Sequence, residues 1–455
     1  MTQFGPPTNR SMKQLDRSFF KKDIALIVAY FPKPTHLAEF VKICKNDILY
    51  LPSIKHIVNV EDSKGVLLRQ DLTMDNYQES VSDATKVKID EYNIEIKPYT
   101  LNLTYDYWKP DDILRAILPE ELLDEIPSGF AQAGHIAHLN LRDEFKPYGS
   151  LIGQVILDKN PKVRTVVDKV DTIDTKFRTF KMNVLAGEDN LLVEQNESGC
   201  KFKFDFSEVY WNSRLSTEHD RLITKFKSHE VVVDVFAGVG PFAVPAAKKE
   251  VIVLANDLNP ASYKYLKENI TSNHVDLFIK PYNLDGREII RKSPQLLLDW
   301  ISDTPSSSIE KTIVKRRKIV ENNQTQVVRE TQTKSIIIPK YISQFVMNLP
   351  DSALTFLDEF IGLYAGVETQ VKQDPNFKLP IINVHCFEKF NAQEQPEPSL
   401  EELHKRVHQK IIKLIDYDLP FEKFEFHLVR KVAPTKPMFC VSFELPEQVA
   451  FKKRT

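Results

Sequence analysis

Residues 231–260 read VVVDVFAGVGPFAVPAAKKEVIVLANDLNP and predict half of a nucleotide-binding α/β fold. An apolar run enters a turn at Gly238 and Gly240, an alanine-rich helix follows, and a second apolar run ends at Asp257. This order of strand, glycine turn, helix, strand and acid is typical of folds that hold a ligand against exposed backbone. Glycine lets the ligand approach the main chain, and Pro241 suits the first position of the predicted helix.

Three acidic residues near predicted strand ends suit a cationic nucleoside ligand. Asp234 precedes the glycines, where a carboxylate can face an amino group. Asp257 offers two acceptors to ribose hydroxyls, and Asp285, after a third strand, can accept from an adenine amino group. Asp285 also suits the N-cap of the helix that follows it. S-adenosylmethionine fits this set, although the glycine spacing also matches the dinucleotide pattern and leaves NAD open.

Another predicted strand ends in the sequence MNLPDSA, residues 347–353. Asn348 and Pro350 would present an amide and a carbonyl to the cleft at the carboxyl edge of the sheet. The other interpretation is a turn that closes the strand, with Asp351 or Ser352 capping the next helix. Because this strand is the fourth of the fold and lies beside the expected cofactor, we favour a functional role.

Length and composition predict a soluble protein of two or three domains. The chain has 455 residues, 42% hydrophobic and 27% charged, with a net charge of −2. No apolar stretch is long enough to span a membrane. The four cysteines are scattered and fit buried thiols in a reducing compartment. The pairs His135 and His138, and His404 and His408, lack a supporting Cys or carboxylate cluster, so we expect no metal.

Pattern changes along the chain divide it into three parts. Residues 1–130 mix short strands and helices, residues 131–221 are rich in strands, and residues 222–455 alternate strand and helix. Within the third part, residues from about 305 to 335 are polar, carry five more Lys and Arg than Glu when counted to Lys340, and show no periodicity. We expect a flexible basic insertion there.

Targeting signals in the sequence are weak. Arg10, Lys13 and Arg17 resemble a mitochondrial presequence, but Pro6, Pro7 and Asp16 oppose an amphipathic helix. The sequence KRRK at 315–318 matches a nuclear import pattern.

Several longer motifs together resemble the eukaryotic and archaeal tRNA (guanine-N1-)-methyltransferase family, which acts on the guanosine 3′ of the anticodon, position 37. They are GHIAHLNLRDEFKPYGSLIGQVILDKNP (134–161), EVYWNSRLSTEHDRL (208–222), DVFAGVGPFAVPAAKK (234–249), ANDLNPASYKYLKENI (255–270), MNLPDSA (347–353) and HLVRKVAPTKPMFC (427–440). The likeness covers about residues 10–445. It implies a class I, Rossmann-like S-adenosylmethionine methyltransferase domain preceded by α+β RNA-recognition domains.

The resemblance also assigns roles to residues. It implies a catalytic pair, Glu218 and Arg178, and a cofactor site lined by His219, Asp257, Leu258, Asp285, Gly286 and Asn348, to which our reading of the residues adds Asp234, Gly238, Gly240 and Pro350. Ser213 and His219 stand where many archaeal relatives have Pro and Arg. Glu218 would take the N1 proton, and Arg178 would stabilise the negative charge that spreads to O6.

The resemblance further implies a monomer that binds the anticodon stem-loop and body of tRNA, in the cytoplasm, nucleus and mitochondrial matrix. The guanosine would flip out of its stack into a cleft between the middle and cofactor domains, and Tyr210 or Trp211 would stack on it or pack in the core. Three alternatives remain: a wybutosine-pathway aminocarboxypropyl transferase, an NAD oxidoreductase and a non-catalytic tRNA-binding protein.

Overall fold

A computed structural model describes residues 4–170, 177, 179, 181–321 and 324–453, with side chains of 315–330 left aside. The chain divides into two compact units. The first contains Met1–Phe130, His138–Asp168 and Asn183–Glu188, and the second contains Ala131–Ala137, Lys169–Met182 and Asp189–Thr455. The three-domain division expected from sequence, with boundaries at 130 and 221, stays a prediction.

The first unit is built on an antiparallel sheet of four strands in the order β2-β3-β1-β4. Apolar residues of its strands and helices, among them Phe31 and Phe40, form one buried cluster. The elements are β1 (Lys22–Phe31), α1 (Leu37–Ile43), β2 (Ile57–Val60), β3 (Ser63–Leu67), α2 (Tyr77–Ser80), α3 (Asp83–Glu91), β4 (Glu95–Leu103), α4 (Pro110–Ile117) and α5 (Gly149–Lys159).

Four strands contain or adjoin the boundaries between the units. They are β5 (Ala131–Ala133), β6 (Ile136–Leu139), β7 (Thr165–Val170) and β8 (Lys181–Gly187).

The second unit holds a seven-stranded sheet flanked by helices. Its elements are β9 (Leu192–Glu197), β10 (Cys200–Asp205), α6 (Ser216–Thr224), β11 (Val231–Asp234), α7 (Ala243–Lys248), β12 (Ile252–Asn256), α8 (Pro260–Ser272), β13 (Ile279–Tyr282), α9 (Gly286–Asp303), β14 (Ser308–Glu321), β15 (Gln324–Ile337), β16 (Gln344–Met347), α10 (Glu368–Lys372), β17 (Ile381–Phe387), α11 (Leu400–Leu414), β18 (Glu425–Ala433), β19 (Lys436–Glu444) and α12 (Glu447–Ala450).

The strand order of this sheet is β13-β12-β11-β16-β17-β19-β18. The first five strands are parallel, and β19 is antiparallel to both of its neighbours. Chain order reverses between β11 and β16, and ligands of open α/β sheets bind at such a switch point beyond the carboxyl ends of the strands. The predicted α/β, Rossmann-like class is therefore confirmed.

Local patterns explain several elements. All four residues of β11 are buried, as expected for a strand covered on both faces. Ser399 caps α11 by accepting from the backbone N–H of Glu402. The glycine-loop helix α7 begins at Ala243, two residues later than predicted, because Pro241 and Phe242 still belong to the turn.

The expected irregular insertion has regular secondary structure in its backbone. The strands β14 and β15 pair antiparallel from Ser308 with Ile337 to Glu321 with Gln324. The sequence shows no clean alternation, but the segment is rich in Ile, Val and Thr, which favour extended backbone. At the hairpin base, Lys311 and Lys334 both contact Glu250, at 2.7 and 2.6 Å.

All four cysteines are buried and free, as predicted. Among the described residues, none of the helices combines the length and apolarity needed to cross a bilayer.

Candidate active site

The glycine turn after β11 adopts backbone angles that favour glycine. Gly238 has φ +56° and Gly240 has φ +99°. A Cβ on Gly240 would lie 2.7 Å from a methyl of Val244 and 2.9 Å from one of Leu266, whereas nothing lies within 4 Å of a Cβ on Gly238. Gly240 therefore packs the turn against two helices, and Gly238 leaves its outer surface open to a ligand.

Asp257 follows β12 and fixes this turn. Its Oδ2 accepts from the backbone N–H of Gly238 at 2.8 Å, and its Oδ1 accepts from that of Asn259 at 2.9 Å. Burial raises the pKa of the Asp257 carboxyl in spite of these two donors. Each oxygen keeps a further lone pair, so the carboxylate can accept from a pair of vicinal hydroxyls.

Asp285 and Gly286 start α9 at the next strand end. Asp285 caps the helix, accepting from the backbone N–H of Arg287 at 2.8 Å, so the predicted N-cap is confirmed. A Cβ on Gly286 would lie 2.7 Å from the ring of Phe236 and 2.9 Å from that of Phe356. Glycine at this position thus lets two aromatic rings meet edge to face, with centroids 5.0 Å apart, beside the space above the sheet.

At the carboxyl ends of β11 and β16, Asp234 and Asn348 have buried oxygen atoms without hydrogen-bond partners in the described structure. Asp234 is 1% exposed, and neither of its carboxylate oxygens makes a hydrogen bond of normal geometry. Burial, and then the charge of Asp257, raise the pKa of Asp234 to about 8, although the Phe236 backbone N–H lowers it slightly. Oδ1 of Asn348 is likewise unpartnered. Since buried polar groups are normally bonded, both side chains fit a site that a polar ligand completes.

These elements surround one cavity of about 370 Å³, of the size that holds a small organic ligand. Its lining includes eight of the ten predicted cofactor residues: His219, Gly238, Asp257, Leu258, Asp285, Gly286, Asn348 and Pro350. The other two, Asp234 and Gly240, do not line it. All lining residues belong to the second unit.

Glu218 lies in α6 and is almost completely buried, with 3% of the residue exposed. Arg221 donates from Nε to Oε2 at 2.6 Å and from Nη2 to Oε1 at 2.8 Å. His385 contacts Oε1 through Nε2 at 2.8 Å, and Nε2 of His427 lies 3.5 Å from Oε2. Burial would raise the pKa of Glu218, but the bonds from Arg221 and His385 outweigh it and lower the pKa to about 2. Glu218 is therefore ionised at physiological pH.

The two histidines near Glu218 stand on one row that crosses three strands. His385 of β17 is opposite Cys440 of β19, which is opposite His427 of β18. The next same-face pair toward the end of β17 is Phe387 with Met438, and both line the cavity. Two residues of a strand span about 6–7 Å. We call Phe387 and Met438 the cavity floor. The row of His385, Cys440 and His427 near the Glu218 carboxylate therefore lies one row deeper in the sheet than this floor.

Comparison with known proteins decides the family. Residues 193–323 match the TRM5/TYW2 methyltransferase domain, and residues 111–190 match the TYW2 N-terminal domain. The tRNA (guanine(37)-N(1))-methyltransferase of Candida albicans is 63% identical over 100% of both chains. The protein of the same name from Saccharomyces cerevisiae is 50% identical over 98% of this chain and 95% of its own.

The chain belongs to the tRNA (guanine(37)-N(1))-methyltransferase family.

Solved structures of the family share the fold. Trm5b from Pyrococcus abyssi covers 92% of this chain and 99% of its own, with a TM-score of 0.57 and 23% identity. A second structure, described as the complex of aTrm5 and tRNALeu, gives the same TM-score at 20% identity. At this identity the likeness concerns the fold alone.

The structure describes the position of only one of the two residues predicted to be the catalytic pair, Glu218 and Arg178. Glu218 is placed below the cavity floor and does not line it, whereas its neighbour His219 does. His219 is held by Glu197, whose Oε1 lies 2.5 Å from Nδ1, and packs edge to face on Phe242. Arg178 lies outside the described residues.

The structure adds residues that the sequence motifs did not single out. Phe236, Phe356, Phe387, Arg430 and Met438 line the cavity. Nε of Arg430 is buried without a hydrogen-bond partner in the described part of the chain. Phe236 follows Asp234 by two residues and could have been found from strand alternation, whereas Phe356 reaches the site only through tertiary packing. Arg430 lies within one of the quoted motifs, but its place in the sheet depends on a register shift in β18 between Leu428 and Arg430.

Of the two predicted stacking residues, Trp211 is buried at 8% exposure and stacks on Phe204 with centroids 4.9 Å apart. Tyr210 is 49% exposed, and both residues line the cavity. Core packing therefore accounts for much of the burial of the Trp211 ring, whereas the Tyr210 ring is the more exposed of the two.

The histidines considered for a metal have other contacts. His135 contacts the carbonyl of Asn190 and His408 that of Leu419, while His404 stacks on Phe426. Donor atoms of Glu218, His385 and Cys440 lie within 4.8 Å of one another. Both Glu218 oxygens, however, already bind a guanidinium, whose charge opposes a metal cation at that point.

Proposed function

We propose that this protein transfers a methyl group from S-adenosylmethionine to N1 of guanosine 37 of tRNA, immediately 3′ of the anticodon. The observation that carries the proposal is end-to-end identity, at 40% or more, with fungal proteins bearing that activity as their name. The cavity adds a site of suitable size and chemistry at the switch point of the sheet.

The residues of the cavity fit S-adenosylmethionine, together with Asp234, which is buried two residues before the lining residue Phe236. The unpartnered carboxylate of Asp234 suits the amino group of the methionine part, and Asp257 suits the two ribose hydroxyls. Asp285 keeps acceptor capacity beside its helix cap, where an adenine amino group can donate. Phe236 and Phe356 supply apolar walls at the start of α9. A cationic ligand amine would also stabilise the ionised form of Asp234.

Glu218 is the proposed general base. Bound S-adenosylmethionine supplies a methyl group on a sulfonium, whose sulfur leaves with the bonding electron pair as a neutral thioether. Glu218 accepts the N1 proton as the new carbon–nitrogen bond forms, so charge balances without an added acid. Its low pKa keeps it ionised before reaction, and alignment supplies the rest of the rate. Because its carboxylate lies a row below the cavity floor, the guanine must enter deeply, or α6 must adjust, for N1 to reach it.

Arg178 completes the proposed chemistry. A guanidinium near O6 would stabilise the charge that develops there as N1 loses its proton. The target base must leave its stack to reach the cavity. The 49% exposure of Tyr210, which lines the cavity, supports a stacking role for its ring.

The test is single-turnover methyl transfer to a tRNA transcript with guanosine at position 37, against the same transcript with adenosine there. We expect transfer only to guanosine. Glu218→Gln keeps the shape of the side chain and removes the base, so its rate should fall about 10²–10⁴-fold, while S-adenosylmethionine affinity survives. Glu401→Gln, an exposed change on α11, is the matched control. Transfer by Glu218→Gln at the control rate would refute the base assignment.

A second candidate is transfer of the aminocarboxypropyl group of the same cofactor to the same tRNA region. The observation that favours it is the match of residues 111–190 to a domain named for TYW2. Mass spectrometry of the tRNA product separates the two reactions, because a single methyl supports our proposal and an aminocarboxypropyl adduct supports the alternative.

We further propose that the protein acts as a monomer on the anticodon stem-loop and body of tRNA, and that it serves the cytoplasm, nucleus and mitochondrial matrix. The sequence supports the last point only through Arg10, Lys13, Arg17 and the KRRK segment. Fluorescent tagging with organelle markers tests the locations, and light scattering tests the oligomeric state.

A further inference from the structure

His385 has no evident structural reason to be a histidine. It is completely buried at the centre of β17, and its Nδ1 has no hydrogen-bond partner in the described structure. Its Nε2 contacts Oε1 of Glu218 at 2.8 Å. A buried imidazole normally has both nitrogens hydrogen-bonded. Because Nδ1 of His385 lacks a partner in the described structure, the contact with the Glu218 carboxylate is the main polar interaction that a histidine provides here.

We propose that His385 is a positioning residue for the reaction: its Nε2–H, together with Arg221, holds the Glu218 carboxylate ionised and aimed at the cavity floor. This inference rests on the proposed function of Glu218 as general base. It adds a residue from outside α6 to the proton-removing machinery.

The geometry gives His385 a task that Arg221 alone cannot perform. Arg221 lies on the same helix as Glu218, three residues later, so it moves with the carboxylate. His385 lies on β17, where its row neighbours the pair Phe387 and Met438 of the cavity floor. Its contact therefore fixes Glu218 relative to the sheet that bears the cavity.

The charges around His385 come from four elements. Glu218 and Arg221 face it from α6, Cys440 from β19, Asp234 from β11 and, at the far end of the row, His427 from β18. Burial lowers the pKa of His385, but Cys440 and Glu218 outweigh it, so that the pKa is raised. The imidazole therefore donates as a cation and lowers the pKa of Glu218 in return.

Two variants separate the charge of His385 from its hydrogen bond. His385→Gln keeps an N–H donor near the position of Nε2 and removes the charge, whereas His385→Leu removes both. The matched control is His408→Gln, since His408 is another buried histidine of the same unit, bonded to a backbone carbonyl at 2.8 Å. Thermal unfolding and S-adenosylmethionine binding establish that each variant is folded.

The measurement is the single-turnover methyl-transfer rate on the guanosine-37 transcript from pH 5 to 9. We expect His385→Gln to be about tenfold slower at pH 7 and His385→Leu about a hundredfold slower. The pKa of Glu218 is about 2 in the unaltered protein, so no acid limb from this group is expected above pH 5. Loss of the cation raises that pKa, and the rate of both variants should therefore fall as the pH approaches 5. S-adenosylmethionine affinity should change less than about threefold, because His385 contributes little to the pKa of Asp234. The His408 control should keep the original profile.

The outcomes distinguish this inference from the proposed function. If Glu218→Gln is inactive while both His385 variants keep the rate and pH profile of the unaltered protein, the positioning role is wrong and the base assignment stands. If Glu218→Gln is fully active, both fail. One equivalent of zinc found by elemental analysis and lost in His385→Gln would also overturn the proposal, since the histidine would then be a metal ligand.

Discussion

Replacement of Asp234 by Asn should weaken S-adenosylmethionine binding and abolish the proton release that accompanies it. Asp234 is 1% exposed, and its pKa is raised to about 8 by burial and by Asp257. The free carboxyl is therefore mostly protonated at pH 7, and a ligand ammonium must first ionise it. Ionising a carboxyl of pKa about 8 at pH 7 costs about 1.4 kcal/mol.

The magnitude follows from the charge-assisted bond that the carboxylate would make. Such a bond contributes up to about 3 kcal/mol when both groups are desolvated. At pH 7 the ionisation of Asp234 offsets about half of this gain, so Asp234→Asn should raise Kd about tenfold. At pH 9 the carboxyl is already ionised, but a ligand α-amino group of ordinary pKa about 8 must then gain a proton at a similar cost.

Isothermal titration calorimetry in buffers of different ionisation enthalpy measures both quantities. The unaltered protein should release about 0.9 proton per ligand at pH 7, and Asp234→Asn should release close to none. Asp303→Asn, an exposed change at the end of α9, is the control. Unchanged affinity at pH 7, or unchanged proton release in Asp234→Asn, would refute the assignment of the amino group to this carboxylate.

Three further outcomes are expected. Without ligand, the free energy of unfolding should fall as pH rises from about 4 to 8, because the folded state holds a proton on Asp234 that the unfolded state has lost. Chemical denaturation at pH 7 should therefore find Asp234→Asn more stable than the unaltered protein by about 4 kcal/mol. Gly240→Ala should lose about 1–3 kcal/mol of stability from its positive φ and clashes, whereas Gly129→Ala, with nothing within 4 Å, should stay within about 0.5 kcal/mol in the same assay. Replacing residues 311–334 with a short turn should leave the Kd for S-adenosylmethionine, measured by calorimetry, unchanged. The reason is that the hairpin base contacts Glu250, at the edge of the sheet opposite the cavity. A Kd raised more than about threefold would contradict that placement.

The grouping of most predicted cofactor residues around one cavity could be anticipated from sequence because its signals are local. The glycine turn and the acids at 257 and 285 each follow a strand directly, and parallel strands bring their carboxyl ends to one edge. Eight of ten predicted residues accordingly line one cavity. Gly240 behaves differently because its side faces two helices, a packing requirement that the spacing does not reveal.

The surroundings of Glu218 could not be predicted in the same way. Its partners His385 and His427 lie 167 and 209 residues later along the chain, and only the register of β17, β19 and β18 aligns them. No periodicity within a single segment carries such information. The hairpin of β14 and β15 was missed for a different reason, because charged residues obscured a composition rich in β-branched side chains.

Helix α6 carries two neighbouring residues that face different surroundings. Successive helical side chains point about 100° apart, so His219 reaches the ligand cavity while Glu218 turns toward the sheet. A small rotation of this short helix would disturb both at once. On the roles proposed for Glu218 and His219, a compound seated between α6 and the glycine turn would impair cofactor binding and proton removal together.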